Sequence, residues 1–198
     1  MTGNVPGFPQ VLSRRALLGG LATVVLSGAA VAAADHPALA YMRKVAKDML
    51  NAHRQGTVNG FKSAIQRHAD VHEIADYSLG QYRKKLPSGQ RERYYSGVVN
   101  FMARYFADQS REYPIAKYEI GEARVDKDKD VLVNSKVFLL SGQTYTVVWR
   151  LGWRGGRYKV LDVKVLGFSM VYMQRGLFTS FITKRNGDVG QLVAALNK

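Results

Sequence analysis

TYTVVWRLGWRGGRYKVLDVKVL, residues 144–166, reads as two strands joined by a tight turn. Tyr145, Val147, Trp149, Leu151 and Trp153 recur at every second position, the period of a strand with one apolar face. Gly155-Gly156, between Arg154 and Arg157, suits a two-residue antiparallel hairpin. The second arm, 157–166, carries apolar side chains on both faces.

Upstream, 117–125 and 131–140 show the same period. The charged turn Asp126-Lys127-Asp128-Lys129-Asp130 joins them, and Ser141-Gly142-Gln143 leads into 144–153. Connections this short predict an antiparallel meander of about four strands.

Before the strands the period is 3.6. Residues 37–54 form an expected amphipathic helix on Leu39, Met42, Ala46, Met49 and Leu50, ended by Gly56. A short helix follows with Phe61, Ala64 and Ile65. Asp70-Val71-His72-Glu73 is a helix start of capping-box type, and Gly80 a stop. Pro87-Ser88 open the longest helix, to about Tyr113, with Tyr94, Tyr95, Val98, Val99, Met102, Tyr105 and Phe106 on its apolar face. After the strands, 168–184 is helical on Met170, Val171, Leu177, Phe178, Phe181 and Ile182, and Asp188 caps a last helix. The expectation is an α+β fold: helices packed on a curved antiparallel sheet, NTF2-like by analogy, with an interior apolar cavity.

The first 34 residues read differently. Arg14-Arg15 precede ALLGGLATVVLSGAAVAAA, an uncharged run too short to span a bilayer comfortably. This is the pattern of an export signal, Sec or twin-arginine, cut after Ala34. Residues 35–198 are then one domain. That mature part keeps 27 Lys and Arg against 15 acids, a charge of +12. Export removes cytosolic nucleic acid as a partner and leaves anionic head groups, each nearby cation being worth about 1 kcal/mol. The chain has no cysteine, which excludes disulfides and thiolate metal sites.

Catalytic and metal signals are weak. No P-loop, G-x-S-x-G or G-x-G-x-x-G is present. His68 and His72 have the i, i+4 spacing of a metal pair, but Asp70 between them reads as a cap, and no third ligand is evident. Asp162 shares strand parity with Tyr158 and Val160; facing a cavity, it is the alternative reading's buried acid/base in an NTF2-like enzyme. The basic clusters Lys84-Lys85, Arg91–Arg93, Lys127–Lys129, Arg154–Arg157 and Lys184-Arg185 fall at turns and helix ends.

Three segments carry a family resemblance. They are D-V-H-E-I-A-D-Y-S-L-G-Q-Y at 70–82 with L-P-S-G-Q-R-E-R-Y at 86–94, Y-K-V-L-D-V-K-V-L-G-F-S-M at 158–170 with Arg175 and Phe178, and D-V-G-Q-L-V-A-A-L at 188–196. In this order, behind an export signal, residues 61–198 resemble MlaC, the periplasmic phospholipid-binding component of the lipid-asymmetry (toluene-tolerance) transport system. Where Tyr158 stands the family usually has Trp, an aromatic swap. The resemblance implies a non-enzymatic shuttle with no catalytic residues, no metal and no cofactor beyond phospholipid cargo. It further implies two partners: an outer-membrane lipoprotein complex and an inner-membrane ABC transporter with an MCE-domain subunit.

Physical chemistry adds a requirement. Exposing a diacyl lipid of about 30 methylenes to water costs ~25 kcal/mol, so a carrier needs an apolar wall. The expected wall comprises Val99, Met102, Phe106, Tyr145, Val147, Trp149, Leu151, Phe178 and Phe181, with Met170 and Met173 as soft, adaptable contacts.

Overall fold

The computed structural model describes residues 36–126 and 128–198; the expected export signal, residues 1–34, and Lys127 lie outside the described residues. Four helices come first: α1 (Pro37–Gln55), α2 (Val58–His68), α3 (Val71–Leu79) and α4 (Arg91–Glu112). Strands β1 (Ile115–Val125), β2 (Val131–Leu139), β3 (Thr144–Arg154), β4 (Arg157–Val165) and β5 (Phe168–Ser169) follow, then α5 (Met170–Thr183) and α6 (Val189–Leu196).

Side-chain caps set most of the helix starts by accepting N–H groups that the helix leaves unpaired. Thr57 accepts from Gly60 at 3.2 Å, Asp70 from Glu73 at 3.0 Å, Ser169 from Tyr172 at 3.0 Å and Asp188 from Gln191 at 3.3 Å. Gly56, at φ 61°, closes α1 through N–H bonds to Ala52 and His53 carbonyls. Tyr113, before Pro114, ends α4.

The sheet is an antiparallel meander in chain order, β1 to β5. Gly155 and Gly156 sit at φ 54° and 78°, the backbone that a two-residue hairpin requires. The fifth strand, absent from the expected set of about four, arises because Leu166 and Gly167 turn at φ 51° and 85° and send Phe168-Ser169 back along β4. β4 also carries a bulge: Arg150 pairs with Asp162 but Leu151 with Val160, leaving Leu161 extra. β1 shifts register between Ile115 and Lys117 and again between Ile120 and Ala123. Such bulges bend and twist a sheet.

The helices pack in separate sets. The N-terminal half of α1 lays Ala38, Leu39, Met42 and Val45 on Val131, Val133, Leu151 and Val160 of the sheet. Around Leu79, Tyr94, Val98, Phe178, Ile182 and Val193, helices α3 to α6 build a core without strand residues. A third cluster, Ala52, Phe61, Ile65, Val99 and Ala103, joins α1, α2 and α4. Helices α4 and α6 approach closely at Gly97, where a Cβ would lie 2.8 Å from Leu196 Cβ and 2.7 Å from Asn197 Nδ2.

Candidate functional site

Past Ala46 the C-terminal half of α1 borders a cavity of about 390 Å³, which also reaches the C-terminal half of α4 and one face of the sheet. Ala46, Met49, Leu50 and His53 line it from α1; Tyr105, Phe106, Gln109 and Ser110 from α4. The floor is the sheet: Tyr118 and Ile120 of β1, Ser135, Val137 and Leu139 of β2, Tyr145, Val147 and Trp149 of β3, Val163 and Val165 of β4. Register explains the convergence, since Ser135 faces Val147, Val137 faces Tyr145, Val147 faces Val165 and Trp149 faces Val163. Tyr105, Tyr113 and Leu166, all exposed, form the rim where the cavity meets solvent.

Much of the polarity in the wall is directed away from the void. Ser135 Oγ donates to the Val147 carbonyl at 3.2 Å and accepts the Trp149 indole N–H at 3.0 Å. Ser110 donates to the Ala107 carbonyl at 2.7 Å, and Tyr145 to Gln143 Oε1 at 3.0 Å. His53 Nε2 donates to the Tyr113 carbonyl at 3.1 Å. Burial holds His53 below its ordinary pKa, opposed by that hydrogen bond, so the ring enters the wall neutral. With those groups satisfied, the remaining lining is predominantly hydrocarbon and aromatic surface. Water there finds few partners, whereas apolar chains find contact on every side. Left dry, a void of this size would cost ~9 kcal/mol, comparable to a domain's whole stability.

Of the eleven expected wall residues, the structure brings five to this cavity: Phe106, Tyr145, Val147, Trp149 and Met170. Leu151 shares their face of β3 but lies under the N-terminal half of α1, fully buried. Val99 packs against α2, and Met102 is shared between the two helical clusters. Phe178, edge-on to Phe101 at 5.2 Å, and Phe181 belong to the helical core. Met173 is exposed. Trp153, on the same expected apolar face of the strand, is exposed beyond the cavity and packs edge-on against Tyr158 at 4.8 Å. The missed lining is the α1 end and the β1, β2 and β4 faces. Strand parity carried through the short β2–β3 turn points to Ser135, Val137 and Leu139; the bulges hide the β1 and β4 faces.

Asp162 does not face the cavity. The bulge at Leu161 reverses its parity, so Val163 and Val165 take the cavity face. The buried Asp162 carboxylate accepts N–H groups from Val163 at 2.8 Å and Val171 at 3.1 Å, tying β4 to the first turn of α5. This corrects the parity on which the acid/base alternative depended. His68 and His72 also diverge: His68 Nε2 meets Asp48 Oδ2 at 2.7 Å, while His72 stacks on Tyr95 with centroids 4.3 Å apart. Hydrogen bonds from His68 and Arg67 hold the Asp48 carboxyl below its usual range.

An apolar cavity with a solvent-facing rim, between sheet and helices of an α+β domain, has the form of a small-molecule pocket. The chain belongs to the MlaC family, whose model, described as MlaC protein, matches residues 39–198. Its fold is similar to that of a phospholipid-binding protein from Ralstonia solanacearum solved in complex with a phospholipid. The likeness has a TM-score of 0.63 at 21% identity and covers 83% of this chain and 96% of that one. No curated protein matches this chain.

Proposed function

We propose that this protein binds phospholipid in the cavity and carries it through the periplasm as a non-enzymatic shuttle. One observation carries this reading: an open apolar cavity whose serine, histidine and Tyr145 polar groups already have protein partners. Family membership and the lipid-bound relative support it. Acyl chains lie against Phe106, Tyr145, Val147, Trp149 and Met170, together with Met49, Ile120 and Val163, and the head group stays at the rim by Tyr105, Tyr113 and Leu166. The partners are an inner-membrane ABC transporter with an MCE-domain subunit and an outer-membrane lipoprotein complex, as in an Mla-type system for lipid asymmetry. Cleavage after Ala34 releases a mature chain beginning at Asp35.

Native mass spectrometry of protein purified without added lipid tests this. A population carrying phospholipid mass is expected. Ile120→Trp, which fills the cavity from the sheet side, is expected to lose that mass while staying folded. A homogeneous lipid-free protein with no uptake from vesicles would sink the proposal.

A further inference from the structure

Apolar surface continues outside the cavity. Leu166, Phe168, Tyr172 and Leu177 are 59%, 68%, 67% and 59% exposed. Together with Met173 they run from the β4–β5 turn along one face of α5. This face is continuous with the cavity, because Leu166 and Met170 of the same stretch line it. Leu166 is exposed even though φ 51° is a backbone conformation that favours glycine.

Along the chain segment that forms this face, charge has one sign. Residues 163–187 contain no Asp or Glu but do contain Lys164, Arg175, Lys184 and Arg185. Asp162, just before them, is buried in its bonds to β4 and α5. Lys164 is exposed and pairs in register with Ser169, next to Phe168. On the adjoining side of α5 lies a polar groove of about 460 Å³, lined by Gln81, Arg175, Thr179 and Lys184 among others.

Aromatic and aliphatic side chains flanked by cations, on a segment that contains no acids, match a bilayer interface. The apolar groups enter the acyl boundary while Lys and Arg meet anionic head groups. We infer that the β4–β5 turn and the exposed face of α5 dock the protein on an anionic bilayer surface, with the cavity rim turned toward the lipid. The patch is small, so docking is reversible. Its purpose rests on the carrier reading, but its test does not.

Cosedimentation of the lipid-loaded mature chain with two kinds of vesicle tests this. One is made of equal parts phosphatidylethanolamine and phosphatidylglycerol, the other of phosphatidylcholine alone. Binding is expected to the first and to weaken with salt. The combined Phe168→Ser, Tyr172→Ser and Leu177→Ser variant should bind at least about tenfold more weakly, with its lipid mass by native mass spectrometry unchanged. Should that variant fold poorly, Leu177→Cys offers a second readout: the chain has no other cysteine, so one environment-sensitive dye reports burial on vesicle contact. Wild type that ignores the anionic vesicles, or binds both kinds equally, overturns the inference. So does a variant that binds like wild type, a dye that senses no change, or sedimentation of wild type as a dimer that the triple variant abolishes. Loss of the lipid mass from wild type would instead count against the carrier reading.

Discussion

Ser135 Oγ holds the Trp149 indole by accepting its N–H at 3.0 Å, and is itself held by the Val147 carbonyl. Ser135→Ala leaves that N–H facing hydrocarbon with no acceptor. The expected loss is ~1–2 kcal/mol in urea unfolding, with altered Trp149 fluorescence. His53 carries a pH dependence of definite sign. The unfolded chain protonates it near its ordinary value of 6.5, while the half-buried ring resists until lower pH. Between those two values the unfolded state binds more protons, so this contribution to stability is complete above pH 6.5 and is lost as pH falls through the window. Urea midpoints measured across that range should slope less in His53→Gln than in wild type. Neither role was legible in the sequence, where Ser135 is one polar residue in a strand and His53 one in a helix end; their partners are 12 and 60 residues away.

Among the elements, α5 is positioned by the Asp162 carboxylate and α6 by the bare backbone of Gly97. Asp162→Asn keeps an acceptor for the Val163 and Val171 N–H groups but gives up a charge near a helix N-terminus. It should lower stability by less than ~1 kcal/mol and leave lipid content unchanged; Asp162→Ala should cost ~1–2 kcal/mol. Lost cargo in Asp162→Asn at full stability would contradict the structural role. Gly97→Ala sets a methyl against Leu196 and Asn197, forces α6 outward and is expected to cost ~1–3 kcal/mol by thermal or urea denaturation. At this scale the sequence was highly legible: every expected helix and strand exists, and the caps at Asp70 and Asp188 hold the N–H groups that their spacing implied, but α4 starts at Arg91 behind a separate 3-10 turn, Ser88–Gln90, rather than at Pro87-Ser88, and α5 at Met170 rather than Phe168. The misses share a cause. A two-residue strand has too few positions to display a period, and a bulge such as that at Leu161 inverts every parity beyond it.

For the whole molecule, the consequence of a cavity of about 390 Å³ is that stability depends on its contents. A ligand that binds only the folded state adds RT ln(1 + [L]/Kd). Unfolding and refolding the protein away from lipid should therefore lower its melting temperature, and phospholipid vesicles should restore it. Equal melting temperatures with and without bound lipid would mean that the void contributes nothing. The sequence by itself determined the α+β class, the order of elements and the amphipathic faces, because periods, caps and turns are local and each is written within a few residues. Only the tertiary structure decided which apolar faces meet a partner and which meet a gap. Phe178 and Leu151 look no different from Trp149 or Val147 along the chain; the first is packed among helices, the second lies beneath the start of α1, and the others line the cavity beside the end of α1. A period records that a face avoids water. It carries no information about whether anything in the protein lies opposite.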